Sequence, residues 1–121
     1  MNKDFESVRQ DIRSYARELH KLQPDTMNAF YTMSKEALKD GALSEKVKEF
    51  VALGIGITKQ CEGCIAFHVK NLKELGATRE EVGEVLAMCV YMGGGPGLMH
   101  AAEALAAYDA LNKPDIQKAA V

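Results

Sequence analysis

Residues 45–58 read EKVKEFVALGIGIT, and the reading of this stretch decides the fold. Its inner run, FVALGIGI, fits either a buried strand or a helix that is apolar on most sides. Gly54 and Gly56 weaken a strand interior, and the segments on both sides carry helical spacing, so the sequence predicts a helix over roughly Glu45 to Thr58. Ser44 is placed to cap its start. A helix apolar on most sides belongs at the centre of a bundle, where the two glycines let a neighbour approach closely.

Working outward from this helix, the chain stays helical. Phe5, Val8, Ile12, Tyr15, Leu19 and Leu22 alternate spacings of three and four, which makes an apolar seam on a first helix. Pro24 suits the first position of a second helix carrying Met27, Phe30, Tyr31, Met33, Ala37 and Leu38, with Gly41 available as a left-handed cap. Downstream of the central helix, a fourth helix is expected from about Glu62 to Leu75. It turns Ile65, Val69 and Leu72 inward and ends at Gly76. Thr78 and Glu81 form a capping box for a fifth helix with Val82, Val85, Leu86, Cys89 and Met92. GGGPG (93–97) reads as a turn, and Pro96 starts an alanine-rich sixth helix through Leu111. The tail after Pro114 is expected to fray. No linker, repeat or strand run is evident, so residues 1–121 read as a single all-α domain of about six helices with its core at 44–111. The first helix carries more apolar seam than a bundle this small covers, which predicts self-association.

Composition narrows the function classes. The 121 residues include 15 Lys+Arg against 17 Asp+Glu, a net charge of −2, which gives no basic surface for nucleic acid or an anionic membrane. Aromatics are 7% with no Trp, so a base-stacking platform is not expected. The N-terminal stretch lacks the apolar segment of a signal peptide, and the longest apolar run, 50–58, is far short of the ~18–20 residues of a membrane span. A cytoplasmic protein is the expectation. Three cysteines are too few for a secreted disulfide framework, and a close pair in the cytoplasm points to redox chemistry or metal binding.

That pair lies in CEGCIAFH, residues 61–68. Cys61, Cys64 and His68 are spaced by three and four, so on a helix they share one face. In the first turn, unpaired N–H groups and the positive dipole end stabilise a thiolate and make it nucleophilic. A CxxC at a helix start also closes a readily reduced disulfide. His68, one turn on, is placed to relay a proton. Glu49 precedes the most apolar part of the central helix, where a partly buried carboxylate can serve as a general base. Zinc is the competing use of Cys61, Cys64, His68 and Glu49. It ranks lower because three ligands crowd two turns of one helix and no second ligand pair exists elsewhere. Cys89 reads as an inert core thiol and His100 as a satisfied structural histidine. His20 and the Lys46, Lys48 and Arg79–Glu81 charges read as solvated surface. GGGPG lacks the Lys-Ser/Thr of a phosphate-binding loop and follows a helix.

Glu49-x11-Cys61-x2-Cys64-x3-His68, followed by LGAT (75–78) and YMGGGPG (91–97) with AAEAL (101–105), resembles the carboxymuconolactone decarboxylase-like superfamily, within it the alkylhydroperoxidase D-like branch. The resemblance covers roughly Ser44 to Leu111. It implies a helical protomer assembling into trimers or hexamers, with the site at the mouth of a helical cavity near subunit contacts. It further implies Cys64 as the peroxidatic cysteine that becomes a sulfenic acid, Cys61 as the resolving cysteine, and Glu49 and His68 as a proton relay. One position departs: the branch carries a histidine just before the second cysteine, where this chain has Gly63. The expected activity is reduction of organic hydroperoxides or hydrogen peroxide by a dithiol/disulfide cycle. It needs no bound cofactor, because a thiol or redox protein donates the electrons. The alternatives are a lyase acting on a cyclic lactone acid, and a metal-binding or structural protein using the Cys-Cys-His cluster.

Overall fold

A computed structural model describes residues 4–111. The elements in order are α1 (Phe5–Leu22), α2 (Pro24–Leu38), α3 (Glu45–Thr58), α4 (Glu62–Glu74) and α5 (Arg79–Ala110), and no strand occurs among the described residues. The expected tail after Pro114 lies outside them.

Each start has a local cause. Asp4 accepts from the backbone N–H groups of Glu6 and Ser7, Pro24 opens α2, and the Ser44 hydroxyl accepts from Val47 N–H at 3.2 Å. The capping box of α5 is complete: Glu81 N–H donates to the Thr78 hydroxyl at 3.1 Å, and Thr78 N–H donates to the Glu81 carboxylate at 2.9 Å. Losing such a cap costs about 1 kcal/mol. Gly76, at φ 80°, takes the left-handed cap of α4. Gly41 does not play the part expected of it. The chain leaves α2 at Lys39 in an extended conformation, and Asp40 instead accepts from Glu45 N–H at 2.7 Å.

The fifth and sixth expected helices are the two arms of α5. Helical backbone continues through GGGPG except at Gly94 (φ 63°, ψ −143°), so the expected turn is made by a one-residue break. The break reverses the chain. Arg79 and Asp109 would stand about 45 Å apart on a straight helix, yet they form a two-pronged ion pair at 2.9 and 3.0 Å. Tyr108 donates to the Ala77 carbonyl at 2.7 Å, and Lys73 lies over the Tyr108 ring at 4.0 Å. Gly97 fits against the Cys89 carbonyl, where a Cβ would collide. By length and composition α5 could cross a membrane, but the hairpin leaves two arms each shorter than the ~20 residues a span needs.

The core gathers Leu53 and Ile57 of α3, Ile65, Val69 and Leu72 of α4, and Val82 with Ala104 of α5, all at 1% exposure or less. Truncating one of these large side chains to alanine costs about 2–5 kcal/mol. Ala101, Ala104 and Ala107, spaced by three, let the second arm approach closely. The central helix is not enclosed on all sides as its composition predicts. Val47, Val51 and Ile55 form an exposed line at four-residue spacing. On α1 only Phe5 and Arg9 are buried, while Tyr15 and Leu22 are 77% and 74% exposed, and α2 buries no residue.

Candidate functional site

The site is made by the joint between α3 and α4. At the end of α3, Gln60 N–H donates to the Ile57 carbonyl (3.0 Å) and Cys61 N–H to the Gly56 carbonyl (2.9 Å), with Gln60 at φ 56°. This closure ordinarily uses glycine, and a residue with a Cβ held there costs on the order of 1 kcal/mol. It turns the chain back at once, so Cys61 ends one helix and caps the next. The Cys61 sulfur accepts from Cys64 N–H at 3.1 Å, which satisfies one free donor of the first turn of α4. Cys61 and Cys64 are joined as a disulfide, with Cα atoms 5.2 Å apart.

Two glycines set the packing around this turn. A Cβ on Gly56 would lie 2.9 Å from Cys64 Cβ, so only glycine lets α3 sit this close beneath the cysteine. A Cβ on Gly63 would come within 2.7 Å of Ile12 Cδ1. The position at which the resembled branch carries a histidine is therefore covered here by α1.

Glu49 lies on the same face of α3 as Leu53, Gly56 and Ile57 and is 1% exposed. A carboxylate buried this deeply requires donors. It has one on each oxygen: His68 Nδ1 stands 2.6 Å from Oε2, and Asn71 Nδ2 donates to Oε1 at 3.1 Å. When Glu49 is ionised it accepts from Nδ1–H, which leaves the His68 Nε2 lone pair to take or return a proton. The His68 side chain is 26% exposed, so the pair connects a buried carboxyl group to an accessible ring.

The structure thus brings Glu49 to His68 across two helices and Cys61 to Cys64 within one turn. Among the described residues no hydrogen bond joins His68 to either sulfur, and no three His, Cys, Asp or Glu side chains are grouped to hold a metal ion. Asn71 is the member the sequence reading missed. Its signal was its position three residues past His68, which extends the spacing of Cys61, Cys64 and His68 by one more step along the same face of α4.

The remaining singled-out residues divide. Cys89 is buried, and burial pushes its thiol pKa up, as suits an inert core thiol. His100 is not satisfied as expected: among the described residues its buried Nδ1 has no hydrogen-bond partner, and a Glu103 carboxylate oxygen stands 3.6 Å away. His20 ties α1 to α2 through Asn28 at 2.8 Å and a tilted contact with Tyr31. Lys46 pairs with Glu81 at 2.8 Å, linking α3 to α5, so this charge is a tie between elements rather than free surface. A surface depression along α1, lined by Arg9, Gln10, Asp11, Arg13 and Arg17, includes none of Glu49, Cys61, Cys64 and His68.

The fold and the site together define an all-helical protein with a cysteine pair at a helix start and a buried carboxylate–imidazole pair on the same two helices. The chain belongs to the Carboxymuconolactone decarboxylase family, whose sequence pattern matches residues 24–107. The crystal structure of apo-lpg0406, a carboxymuconolactone decarboxylase family protein from Legionella pneumophila, superposes with a TM-score of 0.88 at 47% identity. The match covers 90% of this chain and 97% of that one. An uncharacterized protein of Cupriavidus necator is 41% identical over 112 residues, 93% of this chain and 99% of its own length. An uncharacterized protein from the cox locus of Paracoccus denitrificans is 35% identical over 85 residues, 70% of this chain and 77% of its own.

Proposed function

We propose that the chain is a thiol-dependent peroxidase that reduces organic hydroperoxides or hydrogen peroxide through a Cys61–Cys64 dithiol/disulfide cycle. The observation that carries this reading is the disulfide at the start of α4, with His68 one turn further along the same helix and paired there to Glu49 of α3. The family includes both decarboxylases and alkylhydroperoxidases. A lyase acting on a cyclic lactone acid needs proton transfer and makes no use of a cysteine pair, so the pair favours the peroxidase.

In this reading the Cys64 thiolate attacks the terminal peroxide oxygen and the O–O bond breaks. The departing alkoxide takes a proton and leaves as an alcohol, or as water from hydrogen peroxide, and Cys64 becomes a sulfenic acid. His68, held by Glu49, accepts the thiol proton and returns it to the leaving oxygen. The Cys61 sulfur then attacks Cys64, expels water and closes the disulfide. Two electrons from an external thiol or redox protein reopen it. No bound cofactor enters this cycle. Position 63 offers no imidazole, so the relay is Glu49 and His68 alone.

Stopped-flow mixing of the reduced protein with a hydroperoxide, followed by a count of free thiols, tests the reading. The wild type is expected to lose two thiols per turnover, and Cys64→Ser to consume peroxide at least 10³-fold more slowly. Glu49→Gln is expected to slow the reaction by roughly 10²-fold. Equal rates for wild type and Cys64→Ser sink the peroxidase, and lactone-acid turnover that survives Cys64→Ser establishes the lyase.

The protein is further proposed to work in the cytoplasm as a homo-oligomer, a trimer or hexamer, binding neither nucleic acid nor membrane. Support for assembly comes from the apolar side chains a single chain leaves in water, among them Tyr15, Leu22, Tyr91 and Met92, each more than 70% exposed.

A further inference from the structure

Asn71 makes a hydrogen bond to Glu49 that the peroxidase reading does not use. The Glu49 carboxylate is 1% exposed, so its two oxygens are served by donors of the surrounding protein. His68 takes Oε2 and the Asn71 amide takes Oε1. An amide side chain neither gains nor loses a proton near neutral pH, so it fixes one end of the carboxylate without competing in proton transfer. With Oε1 held, the carboxylate cannot rotate to offer Oε1 to His68 or share its charge elsewhere. Oε2 therefore stays aimed at Nδ1, which keeps the proton on Nδ1 and the lone pair on Nε2. Asn71 is rigidly related to the groups it serves, because it follows His68 by three residues and Cys64 by seven on the same helix.

We propose that Asn71 is a positioning residue that sets the tautomer of His68 through Glu49. The proposal rests on the relay role given above to Glu49 and His68. Its test is nevertheless read from the imidazole itself, so that it can fail or succeed independently of peroxide turnover.

The experiment uses long-range ¹H–¹⁵N correlations of the His68 ring in the reduced, ¹⁵N-labelled protein, at a pH where the ring is neutral. The wild type is expected to show the Nδ1–H tautomer. Asn71→Leu, which keeps the volume and removes the donor, is expected to shift the population toward Nε2–H. It is also expected to lower kcat with hydroperoxide roughly tenfold while KM changes less than twofold, a fraction of the ~10²–10⁴ that general acid–base catalysis supplies. A folded Asn71→Leu protein whose His68 remains in the Nδ1–H form overturns the proposal, even if it is slow. If wild type turns over no peroxide but the tautomer shifts in Asn71→Leu, the peroxidase reading falls and the positioning role stands. Should Asn71→Leu fail to fold, the wild-type side-chain amide decides. Its protons are expected to exchange with water more slowly than those of the exposed Asn28, and equal exchange rates overturn the proposal.

Discussion

The α3–α4 pair and the α1–α2 pair are both consecutive helices with short connections, yet they use their apolar residues in opposite ways. Between α3 and α4, Leu53, Ile57, Ile65, Val69 and Leu72 are sealed, and Gly56 lets the backbones close up beneath Cys64. Along α1 and α2, the seam fades from Phe5, which is 8% exposed, to Leu22 at 74%, and Phe30 and Met33 stand in water. The first joint brings Glu49, His68 and the cysteine pair together within one chain. The second leaves an apolar surface exposed, which is the surface that the proposed assembly would bury.

The largest test of this contrast is Gly56→Ala. The added methyl would lie 2.9 Å from Cys64 Cβ, and overpacking of this kind costs about 1–3 kcal/mol. Urea unfolding is expected to show a lower midpoint, and the Cys64 alkylation rate to change with it. An unchanged midpoint would mean that the joint is looser than its geometry states. The converse substitution is Tyr15→Glu combined with Leu22→Glu. Both side chains are mostly exposed in the single chain, so the unfolding midpoint of the dilute protein should hardly move. Sedimentation is expected to show at least a tenfold weaker assembly. Wild type that stays a 13.2 kDa monomer at high concentration removes the oligomer.

The smallest effect concerns the start of α1, where its two buried residues, Phe5 and Arg9, lie. Arg9 is buried and paired to Glu6 by two hydrogen bonds, and Arg9 holds the Glu6 carboxyl below its ordinary value near 4.5. A carboxyl with a lowered folded pKa adds stability above its unfolded pKa, and that stability is lost as pH falls through the folded value. Acid titration below about pH 4.5 should therefore loosen the start of α1, read as lower amide protection factors at Val8 to Ile12 after correction for the intrinsic exchange rate at each pH, and Glu6→Gln should remove that pH dependence. Protection factors that do not change with pH in either protein would show that the Glu6–Arg9 pair does not hold the start of the helix.

Much of the fold was legible because its signals are local. Ser44, Pro24 and the Thr78–Glu81 box act within one turn of themselves, and the structure uses all three as read. The Gly41 cap was misread because Asp40 reaches across to Glu45, a contact that the glycine itself does not announce. The reversal at GGGPG was legible as a turn, and the structure narrows it to the single non-helical residue Gly94, with Gly97 nested against the Cys89 carbonyl. At the site, Cys61, Cys64 and His68 were legible because helical spacing alone sets them on one face. Asn71 escaped because its meaning lies in a carboxylate 22 residues away.

By itself, the sequence determined the all-helical class, the helix starts and the cysteine–histidine face, because capping and a 3.6-residue period depend only on near neighbours. Only the tertiary structure decided that Glu49 is buried rather than solvated, that it meets His68 and Asn71, and that Ile12 covers Gly63. Those outcomes depend on which helix packs against which face, and the left-handed Gln60 joint, together with the space left by Gly56, settles that packing.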